Sequence, residues 1–408
     1  MSKAAPIKNT ALPYRLYCAL AAGVMILVSG IKIGTSFGFD NVAAAGPRER
    51  TIVFIDNSVS SESYITSDSE SQINIAVKMA VEDVAKTHPA CNLHSQIMVG
   101  RNDPLNIFRQ KSTILKNYSA DSSMIVGVKN AAEMNLAANA FKGTNYLAVV
   151  SGAPTDNLAE INENFFAIAN SIKSYAALVS EFIEKRDIAQ QTIVVYPGDA
   201  FWAQTFSQHL TKYFKGAVSK FAVDVNSIGL PAEVIARIKA EKVATIVLPV
   251  ADIQQAMPLI KYLKSIGYEG DIIGSSNWGR AMNDMNKFNR AINLGRTQIY
   301  FPNSWSEGQS PRSSEFEKAF KLRAGGASPI GTAVYTYDST AIAAQYLCEH
   351  FGELSSASFR HFLSGRGLKS VATVRVYTGL DHNGLKSDMR MVRYDNENEK
   401  LVLARSKY

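Results

Sequence analysis

The sequence predicts an α/β protein built from parallel sheets with helices on both faces. Three observations carry that expectation. Short apolar runs rich in β-branched residues alternate with amphipathic stretches along most of the chain, the pattern of repeated strand–helix units. The runs are mostly apolar rather than alternating, which is how strands buried on both faces read. There are also more of them than one compact open sheet usually holds, so the 408 residues divide into two lobes.

The first strand candidate is Thr51–Ile55 (TIVFI). It precedes a helix candidate at Gln72–Lys86, where Ile73, Val77, Val81 and Val84 recur at helical spacing. Further strands are expected at Gln96–Val99, Met124–Val128, Leu147–Val150, Ile193–Tyr196, Phe221–Val225, Thr245–Val250 and Asp271–Gly274. Helices are expected between them at Pro104–Tyr118, Ala131–Phe141, Ile172–Lys185, Phe201–Phe214, Ala232–Ala240 and Ile253–Ile266. The rhythm breaks at 157–171 and at Thr297–Asn303, and helical segments follow at 313–323 and 332–351. In the tail, Ala372–Tyr377 and Met389–Tyr394 read as antiparallel strands around a turn at Asp381-His382-Asn383-Gly384.

Residues 1–45 read as a signal peptide or N-terminal membrane anchor. Lys3, Lys8 and Arg15 precede an apolar run from Tyr17 to Ile31, and Ala43-Ala44-Ala45 offers a small-residue cleavage site. If the segment is retained, its positive flank leaves the N-terminus in the cytoplasm and the body outside. Of the net charge of +7, this segment carries +3 and the remainder +4. So small a surplus, without a Lys/Arg run, gives no footprint for nucleic acid. Of the three cysteines, Cys91 and Cys348 lie beyond the leader. They suffice for one disulfide in an oxidising compartment, but the simpler expectation is two isolated buried thiols. No Cys/His cluster suggests a metal, and no cofactor motif is present.

In open parallel sheets ligands bind beyond the carboxyl ends of the strands. That rule nominates Asp56–Ser58, Lys129–Ala132, Ser151–Thr155, Gly198–Trp202, Ala251–Asp252 and Ser275–Trp278, with Tyr64, Phe201, Trp202 and Trp278 as aromatic walls. Asp252 with Gln255 also reads as a capping box, and Ser151, Asp199 and Asn277 as helix caps. Trp202 and Trp278 serve equally well as packing within a lobe. His88, His94, His209, His350, His361 and His382 are scattered without paired-ligand spacing, and no nucleophile elbow or phosphate loop occurs. The sequence is therefore not read as an enzyme.

From about Thr51 to Leu403 the chain resembles the type I periplasmic binding proteins, especially the branched-chain amino-acid receptors of ABC importers. The stretches that carry the resemblance are MIVGVKNAAEMNLAANAF, YLAVVSGAPTDNL, NFFAIANSIKSYAALVSEFIEK, TIVVYPGDAFWAQTFSQHL, KYLKSIGYEGDIIGSSNW, TAVYTYDSTAIAAQYL and VYTGLDHNG. The resemblance implies two Rossmann-like lobes joined by three crossovers near Phe166–Ile172, Ile299–Phe301 and Val371–Val374. Lobe one would comprise 50–168 plus 302–371, and lobe two 169–300 plus 372–408. With Tyr64 taken from the loop after the first strand, the resemblance leads to an expected ligand site of Tyr64, Asn130, Ala131, Ala153, Thr155, Phe201, Trp202, Asp252 and Ser276. Ala153 and Thr155 match the family's pair that receives a carboxylate. Ser276 stands where the family holds an acid, and Ala167 where it often has arginine. These departures speak against an ordinary aliphatic amino acid. The expected role is capture of a small polar molecule by a periplasmic receptor, a monomer or weak dimer, for an ABC permease. The alternative is a membrane-anchored sensor or regulatory scaffold of the same fold acting on an envelope partner, in the inner membrane or the cell wall.

Overall fold

The computed structural model describes residues 49–57, 67–100, 103–129, 131–187, 191–224, 229–241, 243–251, 253–276, 278, 294–305, 310–350, 352–365, 368–369, 373–395 and 400–404. Its first sheet holds five parallel strands in the order β2-β1-β3-β4-β5. They are β1 Glu49–Asp56, β2 Asn92–Val99, β3 Ser123–Gly127, β4 Ala148–Val150 and β5 Phe165–Ala167. Between them run α1 Ser67–Thr87, α2 Pro104–Asn117, α3 Ala131–Ala140 and the short α4 Leu158–Ile161. Strand residues alternate between two cores, as a period of two requires. Ile52, Phe54, Met124, Val126 and Val149 face α1, whereas Val53, Ile55, Ile125, Ala148 and Val150 face α2 and α3.

The second sheet repeats this order. β6 Thr192–Pro197, β7 Val218–Val223, β8 Thr245–Val247, β9 Asp271–Ile273 and β10 Ile299–Asn303 are parallel in the order β7-β6-β8-β9-β10. Antiparallel β13 Arg390–Asp395 and β14 Lys400–Leu403 extend it beyond β10. Helices α5 Ile172–Asp187 and α6 Phe201–Tyr213 cover one face; α7 Ala232–Ala240 and α8 Ile253–Ser265 cover the other. The expected α/β architecture with separate parallel sheets is the one observed.

After β10 the chain returns to the first sheet. Helices α9 Pro311–Arg323, α10 Gly331–Glu349 and α11 Ser356–Ser364 complete the core on the α1 side. The sequence reading did not separate α11. Its Ser355 cap carries a reciprocal bond with Ser358 in place of the usual Glu or Gln.

The tail differs from expectation. Residues 373–376 join no ladder, because the amides of Val374 and Arg375 donate to the Asp338 carboxylate at 2.7 and 3.1 Å. The hairpin forms instead between β11 Tyr377–Leu380 and β12 Leu385–Ser387, around the expected turn. It packs on the first lobe: Leu385 is in that core, and Gly384 bridges Ala167 of β5. Gly384 has φ of 142°, and a Cβ there would lie 2.1 Å from the Ala167 carbonyl oxygen, so glycine is required. The chain thus passes to the second sheet between Ser387 and Arg390, later than the 371–374 expected.

Cys91 and Cys348 form a disulfide with Cα atoms 5.5 Å apart, joining the start of β2 to the end of α10. This overturns the expectation of isolated thiols. The two residues lie 257 apart in sequence, and only the packing of α1 against α10 brings them together.

Candidate functional site

The carboxyl ends of β1, β3 and β4 form one rim. Asp56, fully buried at the end of β1, pairs with Lys129 beyond β3, Nζ to Oδ1 at 2.7 Å. Beside it, Asn57 Oδ1 accepts from Gln110 Nε2 at 2.7 Å and Asn106 Nδ2 at 3.0 Å, and Asn57 Nδ2 donates back to Gln110 Oε1 at 3.2 Å. Glu133 Oε2 accepts from the Lys129 amide at 3.3 Å. Between β3 and Lys129, Val128 has φ of 55°. A β-branched residue in that region is strained, and such strain gathers at functional loops. The loop after β4 presses against this one: a Cβ on Gly152 would lie 1.6 Å from the Lys129 carbonyl oxygen.

The β4 loop holds two of the expected ligand positions. Ala153 is partly buried against the α5–α6 core, and buried Thr155 donates Oγ1 to Asn135 Oδ1 at 2.9 Å. Asn383, in the hairpin turn, braces the loop. Its Nδ2 donates to the carbonyls of Thr155 and Asp156 at 3.3 and 3.2 Å, and its Oδ1 accepts from the Ala159 amide at 3.1 Å. Ser151 is buried at the end of β4, and its Oγ has no partner among the described residues.

The opposite rim is formed by β6, β8 and β9. Trp202 stacks on Phe206 with ring centroids 5.2 Å apart, and Phe201 is exposed. Trp278 is fully buried, donating Nε1 to the Val250 carbonyl at 2.8 Å and covering Gly274. It packs within its lobe and is no cleft wall. Asp199 does not cap α6, whose N-cap is Ala200.

The two rims meet. Ala131, at the start of α3, shares a core with Ile172, Tyr175, Phe206 and Leu210 of α5 and α6. His209 Nε2 on α6 lies 3.2 Å from Asp156 Oδ2 on the opposite loop. The Tyr175 hydroxyl bonds both Ser276 beyond β9 and Tyr335 on α10. Tyr335 also bonds Ser304 beyond β10. Burial pushes the Tyr175 hydroxyl well above its ordinary value, with Tyr335 adding to the rise. The group therefore stays neutral, suited to hydrogen bonding and not to proton abstraction.

Beneath Tyr335, the Arg375 guanidinium carbon lies 3.8 Å from its ring centroid, a close cation–π contact. Arg375 is fully buried and pairs with fully buried Asp338, Nε to Oδ2 at 3.1 Å, while its Nη2 donates to the Ile168 carbonyl at 3.0 Å. Burial alone would lower the Arg375 pKa, but Tyr377, Tyr335 and Asp338 outweigh it and hold the group up. The stretch after α11 is thereby tied to the exit of β5, where the chain first leaves the lobe.

Of the positions expected from sequence, the structure gathers Ala131, Ala153, Thr155, Trp202 and Ser276 around the junction of the rims, with Phe201 exposed at the start of α6. Tyr64, Asn130 and Asp252 lie outside the described residues. Sequence reasoning missed Tyr175, Tyr335 and Asn383, which lie away from the parallel-strand ends, and Ser304, which follows β10 in the segment where the strand–helix rhythm breaks. Asp338 did carry a signal: it is the one charged residue of α10 before Glu349. Among the described residues no group of His, Cys, Asp or Glu has the geometry to hold a metal ion, and no helix is long and apolar enough to cross a membrane.

No family model matches the sequence, and no curated protein matches it. Solved structures do. The isoleucine complex of a branched-chain amino acid transporter substrate-binding protein from Streptococcus pneumoniae is similar with a TM-score of 0.67 and 13% identity, covering 87% of this chain and 98% of that one. An ABC transporter substrate-binding protein from Sphaerobacter thermophilus reaches 0.70 at 12% identity, over 88% and 97% of the two chains. A solute-binding protein from R. palustris in complex with 4-hydroxybenzoate reaches 0.64 at 10% identity, over 88% and 96%. The fold is that of the type I periplasmic binding proteins.

Proposed function

We propose that this chain, with the two-lobed fold of the type I periplasmic binding proteins, is an exported receptor. It holds a small polar solute between its lobes for delivery to an ABC importer. The observation that carries this reading is the convergence of strand carboxyl ends from two separate sheets, joined by crossovers, on Ala131, Ala153, Thr155, Trp202 and Ser276. Crossovers of this kind act as hinges, and a solute that touches both rims favours the closed form. The hydroxyl-rich β4 loop suits an anionic or hydrogen-bonding group. Trp202 and Phe201 suit a flat or apolar portion. We assign the hairpin 377–387 to the first lobe with 49–167 and 311–364, and 172–303 with 390–403 to the second.

The disulfide supports export, since such bonds persist in oxidising compartments. The related structures are transporter substrate-binding proteins, and one of them holds an aromatic acid. We read this chain accordingly as a binder that catalyses nothing, with an importer's permease as its partner and the leader as a possible tether. The alternative role of an anchored sensor gains from the hydroxyls of Thr155 and Ser276 already having partners within the protein.

A thermal-shift screen of amino acids, amides, short peptides and aromatic acids tests the reading, because a ligand of the folded state raises apparent stability by mass action. For a solute so found, Thr155→Ala is expected to weaken calorimetric affinity several-fold, and saturation is expected to compact the particle in solution scattering. Unchanged affinity in the folded variant removes Thr155 from the site. Absence of compaction counts against a hinged receptor.

A further inference from the structure

Helix α2 presents a surface that solute binding does not use. Its buried face is Ile107, Gln110 and Ile114, which hold it to the first sheet. On its outer side Leu105, Phe108 and Leu115 are 70%, 56% and 46% exposed. At 3.6 residues per turn these three, with Ser112, fall within an arc of about 80°. Val99, at the end of edge strand β2, is a further half-exposed apolar residue just before the helix. Three large apolar side chains along one face of one helix differ from the single exposed residues normal on a surface.

The charges around this stripe select what covers it. Lys111 flanks it on one side, Arg109 and Lys116 on the other, and α2 contains no acidic residue. Arg109 and Lys116 are exposed. An apolar stripe bordered by cations on both sides is the arrangement of a helix lying in a membrane interface, with aliphatic stems over the hydrocarbon boundary and charges among headgroups. A second copy of the chain fits poorly. A two-fold contact through α2 would bring the cations of one protomer against those of the other, and lysine is depleted from the centres of protein interfaces. We propose that the exposed face of α2 docks on an anionic phospholipid bilayer, laying the first lobe against the membrane. Docking does not depend on the solute-receptor reading.

Tryptophan quenching in the full chain tests this. Phe108→Trp adds an exposed indole to the three native tryptophans, of which Trp278 and Trp305 are buried. With phosphatidylcholine vesicles containing phosphatidylglycerol and bromine-labelled acyl chains, the variant is expected to lose more emission than the wild type. The excess is expected to shrink without phosphatidylglycerol and after Arg109→Gln, Lys111→Gln and Lys116→Gln together. Each cation should contribute roughly five-fold to docking on an anionic surface. Leu115→Trp provides a second reporter should Phe108→Trp fail to fold. No excess quenching in either folded reporter overturns the proposal, as does an excess indifferent to both lipid charge and the triple variant. A dimer in sedimentation equilibrium that Leu105→Ser with Phe108→Ser dissolves would assign the stripe to a second copy instead.

Discussion

Asp338→Asn tests how the crossover region is held. The substitution is nearly isosteric and leaves α10 intact, but it removes the charge that faces Arg375. Asp338 now accepts from the Val374 amide at 2.7 Å, from the Arg375 amide and Nε at 3.1 Å each, and from Tyr377 Oη at 3.0 Å. Both side chains of the pair are fully buried. Leaving a guanidinium buried and uncompensated costs about 3–5 kcal/mol, against roughly 5–15 kcal/mol for a whole domain. The assay is urea unfolding of wild type, Asp338→Asn, Arg375→Gln and the double variant. Each single change is expected to lower stability by about 3–5 kcal/mol. The double should cost less than the sum, because the two residues share one network. A loss below about 1 kcal/mol, the worth of an exposed pair, would mean that water reaches Arg375 and that the crossover is not locked by this contact.

Three further outcomes are expected. Replacing Cys91 and Cys348 by serine frees a loop of about 257 residues. In the chain-entropy account this lowers stability by roughly 5.5 kcal/mol; an unchanged urea midpoint in oxidised wild type and variant would refute it. Asp83 pairs with Lys86 of its own helix and links α1 to α9 through Arg312 and to α10 through Tyr337. Burial raises its pKa, but the bonds from Tyr337 and Lys86 and the charges of Lys86 and Arg312 outweigh that, and the net shift is downward. Its contribution is therefore present above the ordinary aspartate range and lost as pH falls through the folded value. The stability difference between wild type and Asp83→Asn should shrink on acidification, and a difference that grows would show the sign to be wrong. Finally, Tyr335→Phe removes the hydroxyl that meets both Tyr175 and Ser304. About 1–3 kcal/mol of stability should go with it as buried partners are orphaned, and solution scattering should show a broader range of lobe separations; an unaltered profile and melting point would leave that contact without a role.

Much of the fold was open to a reader of the chain, because its causes are local. Runs such as Ile52–Ile55 and Ile193–Val195 are apolar at every position, so they need cover on both faces. The helices between them carry their own periodicity. The strand-end rule pointed to Asp56, Lys129 and Thr155 because it needs only knowledge of where a strand stops.

Other features depend on partners far away in sequence. Trp278 reads as a cleft aromatic until Gly274 and the Val250 carbonyl are seen to receive it. Residues 373–376 read as strand until Asp338 takes their amides. The Cys91–Cys348 bond follows from the packing of α1 on α10, and the braced β4 loop from Asn383, 228 residues beyond Thr155. Composition and spacing by themselves determined the alternation of strands and helices, since each element's exposed and buried faces are written in its own residues. Only tertiary structure decided which hydroxyls, carboxylates and thiols meet. A polar group's partner is chosen by burial and geometry, and the chain order of the two partners carries no record of either.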